Sequence, residues 1–267
     1  MSSSEKEDLI KVVYPKLADL TTSQVKRISD LVEQFQTNYE FRASGDSDLI
    51  TEGVLNEFGD VLREHHSLSE ESFTKDKFEY ALEKILNQNG IPAEKSPSGN
   101  PGDDITIRDQ KFSLKTQADK TIKKDFIHIS KFHELGKGDW SDKEEDLIGL
   151  REQFFNHMKS YDRILTLRQI SKPPSDNWHY ELVEIPKSLL EEAKDGEFEM
   201  MHDSTQNPKP GYCRVYEKES GGLFGDERKK KFELYFDGGG ERKLQIKAID
   251  KSYCTVHADW IFAQVKA

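Results

Sequence analysis

The stretch Pro101-Gly-Asp-Asp-Ile-Thr-Ile-Arg-Asp-Gln-Lys-Phe-Ser-Leu-Lys-Thr-Gln117 decides the fold of this chain. Apolar residues alternate with polar ones on both sides of the polar turn at 108–110, which predicts two short strands joined as a β-hairpin. Residues near the start of the first strand then lie beside residues near the end of the second. If the apolar side chains of both strands pack against one core, Asp104 and Lys115 are expected together on the other face.

This hairpin places a carboxylate and an amine where they can do chemistry. A carboxylate supplies the hard oxygen ligands that Mg²⁺ prefers, and Mg²⁺ polarises a phosphodiester and lowers the pKa of a bound water. A nearby lysine can orient that water and offset the charge that builds on the phosphate. Because one carboxylate is a poor magnesium site, Glu79 in the last helix before the sheet is a candidate for the second. By spacing alone, Asp104 and Lys115 fit a cross-strand ion pair more readily than a catalytic pair.

The first ninety residues show the periodicity of helices. From Glu5 to about Gly90 apolar residues recur at helical spacing, which predicts four or five amphipathic helices. The segment Thr21-Thr22-Ser23 is expected to cap a helix that begins near Gln24. The apolar positions that carry the prediction are Leu9, Val12, Val13, Leu17, Leu20, Val25, Ile28, Leu31, Val32, Phe35, Phe78, Leu82, Ile85 and Leu86.

The rest of the chain shows the alternation that is typical of strands. After the turn-rich segment 93–103 the apolar period changes to two. One clear helix is expected at 142–158 and a shorter one at 187–194, while glycines at 221–222 and 238–240 predict hairpin turns. The expected strands are 104–108, 111–117, 126–132, 164–170, 180–184, 214–217, 232–236, 244–249 and 254–262.

This order of elements predicts the fold class. Helices followed by a sheet with an inserted helix indicate an α+β, or mixed α/β, fold built on one sheet. A helical N-terminal region, 1–72, is expected to precede a mixed β-sheet core flanked by helices, 73–267. Since no polar linker is long enough to separate two domains, residues 1–267 are expected to form a single one.

Composition limits the class of protein. The chain has 267 residues, of which 34% are hydrophobic and 33% charged, and a net charge of −11. No window reaches the roughly 18 uninterrupted apolar residues of a membrane span, and residues 1–8 lack the features of a signal sequence, so a cytoplasmic protein is expected. Two cysteines, Cys213 and Cys254, exclude a disulfide framework and a four-thiolate zinc site. The acidic total argues against a non-specific nucleic-acid binder, but a specific nuclease needs only a locally basic cleft.

The hairpin resembles a known catalytic pattern. An aspartate after a Pro-containing turn, followed by a hairpin that ends in a lysine, is the pattern of the PD-(D/E)xK nucleases, and Pro101-Gly-Asp-Asp104 with Ser113-Leu-Lys115 fills its two halves. Further segments are similar to those of type II restriction endonucleases that read the sequence CCCGGG, and the likeness extends more weakly into the N-terminal helices. These segments are 100–107, 130–138, 180–187, 206–210 and 241–245.

The resemblance implies an activity and roles for particular residues. It implies an endonuclease that cuts both strands of duplex DNA at the palindrome CCCGGG, in the centre, with Mg²⁺ as cofactor. In the family's pattern Asp104 is the catalytic metal-binding carboxylate and Lys115 the catalytic lysine. The backbone carbonyl of Leu114 stands where the family offers a further metal ligand, and Glu79 matches a helix glutamate that many members use as another.

One catalytic position departs from the family's pattern. Ser113 stands two residues before the lysine, where the pattern has an acid. The second carboxylate is therefore expected from elsewhere, with Glu79 as the first choice and Glu134 as the second. For Glu134, a solvated loop residue is the better interpretation.

The resemblance also implies partners. A palindrome read by a two-fold homodimer places one active site on each strand, and a restriction enzyme is paired with a protecting DNA methyltransferase. Because guanine presents two acceptors in the major groove, a G·C-only site calls for Arg or Lys donors. The candidates for DNA contact are Lys131, Lys137, Arg242 and Lys243.

Other conspicuous residues are more typical of structural roles. The histidines show no convergent spacing for zinc, since the adjacent His65 and His66 diverge on a helix. The basic run 228–231 fits a solvated turn better than a phosphate site. Three tryptophans, Trp140, Trp178 and Trp260, are more typical of core anchors than of base stacking.

Two further functions stay open at this point. The same fold serves repair nucleases and junction resolvases, which recognise the structure of DNA rather than its sequence. A catalytically silent DNA-binding module is the other alternative, because Ser113 replaces an acid.

Overall fold

The computed structural model describes residues 3–97, 102–119, 122–136, 140–218 and 228–265. Its first part contains four helices, as expected. Some of them begin at a capping side chain: Thr21 and Gln24 form a capping box at the second helix, and Thr74 caps the fourth helix. A short strand lies between the second and third helices. These elements are α1 Ser3–Leu17, α2 Thr22–Gln36, β1 Tyr39–Ala43, α3 Glu52–Leu68 and α4 Lys75–Gln88.

The remaining described residues are mainly strands. Every strand predicted from the alternation is present within a few residues of its expected bounds, and β1, β2 and β8 are strands that the sequence did not predict. The predicted glycine turn at 238–240 joins β10 to β11, whereas the one at 221–222 lies outside the described residues. The elements are β2 Ala93–Lys95, β3 Ile105–Ile107, β4 Gln110–Gln117, β5 Phe126–Glu134, α5 Glu144–Met158, β6 Arg163–Ser171, β7 Trp178–Glu184, α6 Lys187–Glu191, β8 Glu197–Met200, β9 Gly211–Tyr216, β10 Lys230–Asp237, β11 Lys243–Asp250 and β12 Thr255–Phe262.

The strands form two sheets, so the expectation of one sheet is wrong. The first has seven strands in the order β1-β12-β7-β6-β4-β3-β2, in which β4 and β6 are parallel. The second has five strands in the order β5-β11-β10-β9-β8, and all its pairs are antiparallel. Alternation along a strand shows which face is apolar but not which strands pair, and for that reason the sequence did not separate the sheets. The mixed α+β class itself is confirmed.

The seven-stranded sheet is covered on both faces. Alternate side chains of β6 point to opposite sides, with Leu165 and Leu167 in a core under α3 and α4. Ile164 lies in a second core that contains α5 and the apolar face of the five-stranded sheet. The layers are therefore helices, sheet, and then a helix with a second sheet.

The residues assigned to structural roles take those roles. Trp178 and Trp260 are fully buried and Trp140 nearly so, while Cys213 is a buried free thiol. His66 stacks on Trp178 with ring centroids 3.5 Å apart. None of the helices in the described ranges is long and apolar enough to cross a membrane.

Candidate active site

The β3–β4 hairpin has the register that the alternation predicts. Ile105 pairs with Phe112, and both are buried in the core under α3 and α4 together with Leu114. Asp104 immediately precedes β3, and its backbone N–H donates to the carbonyl of Phe112 at 2.8 Å. The carboxylate is therefore held by a continuation of the strand ladder rather than by a free loop.

Local backbone and side-chain donors fix the Asp104 carboxylate. Its Oδ2 accepts hydrogen bonds from the backbone N–H of Leu114 at 2.6 Å and from the hydroxyl of Ser113 at 3.3 Å. Ser113 is fully buried, so its hydroxyl serves this contact instead of supplying charge. Because the N–H and C=O of one strand residue point to the same side, the carbonyl of Leu114 also lies on the edge that faces Asp104.

Helix α4 brings a second carboxylate to the same place. Lys75 Nζ lies 2.6 Å from Asp104 Oδ1 and 3.2 Å from Glu79 Oε1, so one ammonium bridges the two acids. Burial alone would lower the pKa of Lys75, but its hydrogen bond to Asp104 and the charges of Asp104 and Glu79 raise it above the usual value. Lys95 Nζ stands 3.9 Å from the other oxygen of Glu79.

Lys115 lies on the opposite face of β4 from Phe112 and Leu114, with its ammonium 5.4 Å from the ring centre of Phe132. Burial is the largest influence on this amine and lowers its pKa to about 8, although the negative charge of Asp104 opposes that effect. The ion pair that Asp104 makes is with Lys75 on the helix. The hairpin therefore does not form a simple cross-strand ion pair between Asp104 and Lys115.

A polar cluster that the sequence analysis did not single out lies around Lys115. The rings of His133 and His157 stack with centroids 4.7 Å apart, and Tyr161 lies 5.5 Å from His157. Thr166 on β6 is the register partner of Lys115. Among the described residues, a buried polar atom of each of these four side chains has no hydrogen-bond partner. Burial lowers the pKa of His157 to about 4 and lowers the pKa of His133 below its usual value, which favours the neutral form of both imidazoles at pH 7.

Only a weak signal in the sequence pointed to that cluster. Thr166 is flanked by the apolar residues 164–165 and 167 in β6, and His157 lies on the last turn of α5. Polar residues at such positions occur in many packed environments, so they do not by themselves indicate a cluster. Only the docking of α5 against the sheet brings His157 to Lys115.

The donor set at Asp104 fits a divalent cation. Two carboxylates that converge on one ammonium also converge on a point that an oxygen-liganded cation can occupy, and the Leu114 carbonyl adds a third oxygen from the protein. No group of three His, Cys, Asp or Glu side chains suited to a metal occurs within the described ranges. A small set of protein ligands is compatible with Mg²⁺, which commonly keeps several waters and takes oxygens from a substrate phosphate.

The candidate DNA-contacting residues lie at one end of the five-stranded sheet. Lys131 Nζ stands 2.8 Å from Glu134 and 2.9 Å from Glu241, and Lys243 Nζ stands 3.3 Å from the other oxygen of Glu241. Arg242 follows in the β10–β11 turn, where its φ is +37°. Lys137 lies outside the described residues.

The same end of the sheet is concave. Glu134 and Arg242 line an open cleft of about 700 Å³, together with the segment Gln206-Asn207 and the glycine turn at 238–240. The Glu134 carboxylate binds Lys131 and is largely exposed. It therefore belongs to this rim, whereas Glu79 is the acid that meets Asp104.

Comparison with known proteins defines the class of enzyme. Residues 13–262, which contain all the site residues above, match the family described as SmaI, type II site-specific deoxyribonuclease. The chain is therefore an enzyme that hydrolyses DNA at specific sites. This confirms the enzyme class that the sequence resemblance implied.

The chain belongs to the SmaI family of type II restriction endonucleases. Over 216 residues it is 45% identical to the type II restriction enzyme SmaI of Serratia marcescens, and the match covers 80% of this chain and 82% of that protein. No solved structure matches the chain.

Proposed function

We propose that the chain is a Mg²⁺-dependent restriction endonuclease that cuts both strands of CCCGGG in the centre and leaves blunt ends. The observation that carries the catalytic part is the convergence of Asp104 and Glu79 on one ammonium beside Lys115. The recognition sequence rests on the resemblance of the segments 100–107, 130–138, 180–187, 206–210 and 241–245 to those of enzymes that read it.

In this proposal Asp104, Glu79 and the carbonyl of Leu114 hold the metal ion. When bound, Mg²⁺ polarises the scissile phosphate and makes a bound water more acidic. Ser113 and the N–H of Leu114 hold the Asp104 carboxylate in the orientation that this requires. The hydroxyl of Ser113 thus positions the acid, and Glu79 supplies the charge that an acid at position 113 would bring.

Lys115 acts on the attacking water and on the phosphate. Its ammonium donates hydrogen bonds and offsets the negative charge that builds on the non-bridging oxygens in the transition state. The neutral rings of His133 and His157 border it on the buried side, so they add no competing positive charge. Hydrolysis breaks the P–O3′ bond and leaves a 5′-phosphate and a 3′-hydroxyl.

Sequence is read at the end of the five-stranded sheet. Lys131, Arg242 and Lys243 can donate to the O6 and N7 acceptors of guanine or to flanking phosphates, and Lys137 is a fourth candidate. In the absence of DNA, Lys131 pairs with Glu134 and Glu241, and Lys243 pairs with Glu241. Those pairs exchange for contacts with DNA when the enzyme binds its site.

The assembly that fits this function is a homodimer of a single catalytic domain. Two copies related by a two-fold axis place one active site on each strand of the palindrome. We propose that the enzyme works in the cytoplasm beside a DNA methyltransferase that protects the same sequence in the host.

Substitution of Asp104 tests the catalytic assignment. Asp104→Asn keeps the shape of the side chain and one acceptor oxygen for the N–H of Leu114, but it removes the charge and the second acceptor that binds Lys75. Cleavage of a CCCGGG duplex should therefore disappear while binding to that duplex persists. The matched control is Asp109→Asn in the exposed hairpin turn, which should cut at the wild-type rate. Cleavage by Asp104→Asn at the wild-type rate would refute the assignment, and the absence of cleavage by the wild type with Mg²⁺ would favour a silent DNA-binding module.

A further inference from the structure

A buried hydroxyl lies beside the proposed catalytic lysine. Thr166 on β6 is the register partner of Lys115 on β4, and the two strands are parallel, so both side chains point to the same face of the seven-stranded sheet. That face is turned toward α5 and the second sheet, since the neighbouring Ile164 and Val183 lie in the core they form. Thr166 is fully buried there. Its hydroxyl is therefore enclosed in the same layer as the stem of Lys115.

Three further polar side chains enter this layer from other parts of the chain. Tyr161 lies just before β6 and is 1% exposed, and its ring centre lies 5.5 Å from that of His157 at the end of α5. The ring of His157 stacks on that of His133 from β5, with centroids 4.7 Å apart. Phe132 connects this group to the lysine, because its ring centre lies 5.8 Å from that of His157 and 5.4 Å from the Lys115 ammonium.

Each member of the group carries a buried polar atom that is unpaired in the described part of the chain. These atoms are the hydroxyl oxygens of Thr166 and Tyr161 and the Nε2 atoms of His133 and His157. They are four of the eight such atoms that the described ranges contain. A buried polar group without a hydrogen bond destabilises a fold, and proteins leave few of them. Their concentration at one place therefore indicates a ligand that they share.

We propose that these four atoms bind internal water molecules, which in turn hydrogen-bond to the Lys115 ammonium and fix its direction. This inference rests on the proposed function for the task of Lys115 and adds the side chains that hold it. The four side chains are positioning residues, since they act on the phosphate only through the lysine.

Water suits this set of atoms better than an ion does. The Nδ1 of His133 lies 2.8 Å from the carbonyl oxygen of Glu134, so this nitrogen carries the proton and Nε2 is an acceptor. An acceptor at that point disfavours an anion, and the adjacent positive charge of Lys115 disfavours a cation. Water both donates and accepts, and a buried water commonly makes about three hydrogen bonds. It can therefore satisfy the hydroxyls, the acceptor nitrogen and the ammonium together.

The lysine needs acceptors on its buried side. An ammonium has three N–H donors on a flexible four-carbon stem, so hydrogen bonds are required to hold it in one direction. The Asp104 carboxylate already binds Lys75 and the N–H of Leu114. With water as the acceptor on the buried side, the remaining donor of Lys115 is free to point toward the scissile phosphate.

Unfolding of Thr166→Val tests the waters without cleavage. Valine has nearly the shape of threonine but cannot hydrogen-bond, so it removes any bond between the hydroxyl and water. The denaturant concentration at the midpoint of unfolding should therefore fall if water is bound. If the hydroxyl has no partner, the change removes a buried unpaired group and the midpoint should rise. The matched control is Thr255→Val, at an exposed threonine of β12, which should leave the midpoint close to that of the wild type.

A crystal structure of the full-length protein without DNA tests the same point directly. Density for water is expected within hydrogen-bond distance of Thr166 Oγ1 and of the Tyr161 hydroxyl, and a water should also contact Lys115 Nζ. Crystals of Tyr161→Phe should lose the water that binds the hydroxyl. An interior without water density at these atoms would overturn the inference.

Single-turnover cleavage of a CCCGGG duplex tests the positioning of Lys115. Thr166→Val and Tyr161→Phe should each slow the chemical step about tenfold, while the Kd for the duplex changes by less than about twofold. Thr166→Ser keeps the hydroxyl and should cut close to the wild-type rate, which a role of Thr166 in packing alone would not predict. Thr255→Val is again the control and should cut at the wild-type rate.

The inference is wrong if Thr166→Val and Tyr161→Phe both cut at the wild-type rate, if Thr166→Ser is as slow as Thr166→Val, or if Thr166→Val raises the unfolding midpoint. A wild type that cuts no DNA would instead remove the proposed function, and with it the task of Lys115. The unfolding and crystallographic results would then still show whether the cluster binds water, so the two failures are distinguishable.

Discussion

Asp104 and Glu79 come from different elements and meet at the ammonium of Lys75. The alternation around the hairpin predicted where Asp104 and Lys115 stand, because the geometry of a short hairpin is local. The helical spacing of the apolar residues placed Glu79 on the helix before the sheet. Lys75 was not predicted, since a lysine in the first turn of a helix fits a solvated charge, and only the docking of α4 on the hairpin brings it between the two acids.

The bridge made by Lys75 leads to a prediction about metal affinity. Its ammonium holds the oxygens that a divalent ion needs, so Lys75→Met should let the ion bind more tightly, by roughly tenfold or about 1.4 kcal/mol. Calorimetric titration with Ca²⁺ measures this without cleavage. Lys77→Met, on an exposed part of the same helix, is the control and should leave the affinity unchanged. Weaker binding in Lys75→Met would show that the lysine organises the site instead of competing for it.

The two candidates for the second carboxylate make different predictions. Glu79→Gln should reduce the cleavage rate by roughly 100-fold or more and raise the Mg²⁺ concentration needed for half-maximal rate, because it removes charge from the metal site. Glu134→Gln should leave that Mg²⁺ requirement close to that of the wild type, since its carboxylate lies with Lys131 on the rim of the cleft. Cleavage rates measured over a range of Mg²⁺ concentrations distinguish the two candidates. A reversal of the two effects would assign the ligand to Glu134.

At the scale of elements, the long alternating strands were predicted, whereas three of the short ones, β1, β2 and β8, were not. β1 has the sequence Tyr39-Glu-Phe-Arg-Ala43, whose charges and exposed side chains suggest a loop. It is a strand because it pairs along its whole length with β12, more than two hundred residues later in the chain. Such pairing is a tertiary effect that local propensity does not contain.

Helix α3 carries a buried histidine with a predictable effect on stability. His66 donates from Nδ1 to the carbonyl of Ser69, and its Nε2 lies 2.8 Å from the hydroxyl oxygen of Tyr180. Burial lowers its pKa to about 3. A histidine whose pKa is lowered by folding contributes stability above its unfolded value of about 6.5, and that contribution is lost as the pH falls toward 3.

The expected size of this effect can be measured. Between pH 7 and pH 5 the titration of His66 should lower the free energy of unfolding by about 2 kcal/mol. His66→Gln cannot titrate, so its unfolding free energy should fall less over the same range by that amount. Denaturant unfolding at the two pH values gives the comparison. Parallel pH profiles for the two proteins would mean that His66 does not carry the effect.

For the whole molecule, the net charge of −11 does not show how acidic and basic side chains are arranged locally. The basic run 228–231 is neutralised by acids on neighbouring elements, with Lys229 Nζ 2.6 Å from Asp250 and Lys231 Nζ 2.7 Å from Glu192. The sequence analysis expected a solvated turn here, but Lys230 and Lys231 lie in β10 and are half-buried, so the run is part of the fold's ion-pair network instead. The rim around Lys131 and Arg242 adjoins one of the open clefts, and Glu134 and Glu241 contribute to the same rim, so the surface there carries both signs of charge.

The relationship to SmaI extends over residues 13–262 and so includes both sheets, the hairpin and helix α4. Asp104 adjoins the seven-stranded sheet and Glu79 lies on α4, whereas the rim of the cleft lies at the end of the five-stranded sheet. The residues proposed to cut DNA and those proposed to read it are thus on separate layers of the chain.

The most direct test of this account is the mapping of cleavage ends on a duplex that contains one CCCGGG site. With Mg²⁺ the protein should cut each strand between the third C and the first G, and every product should carry a 5′-phosphate and have blunt ends. A duplex with a single base pair of the site changed should stay intact. Staggered ends, cleavage of the altered duplex at an equal rate, or cuts at a branched structure instead of this sequence would contradict the account.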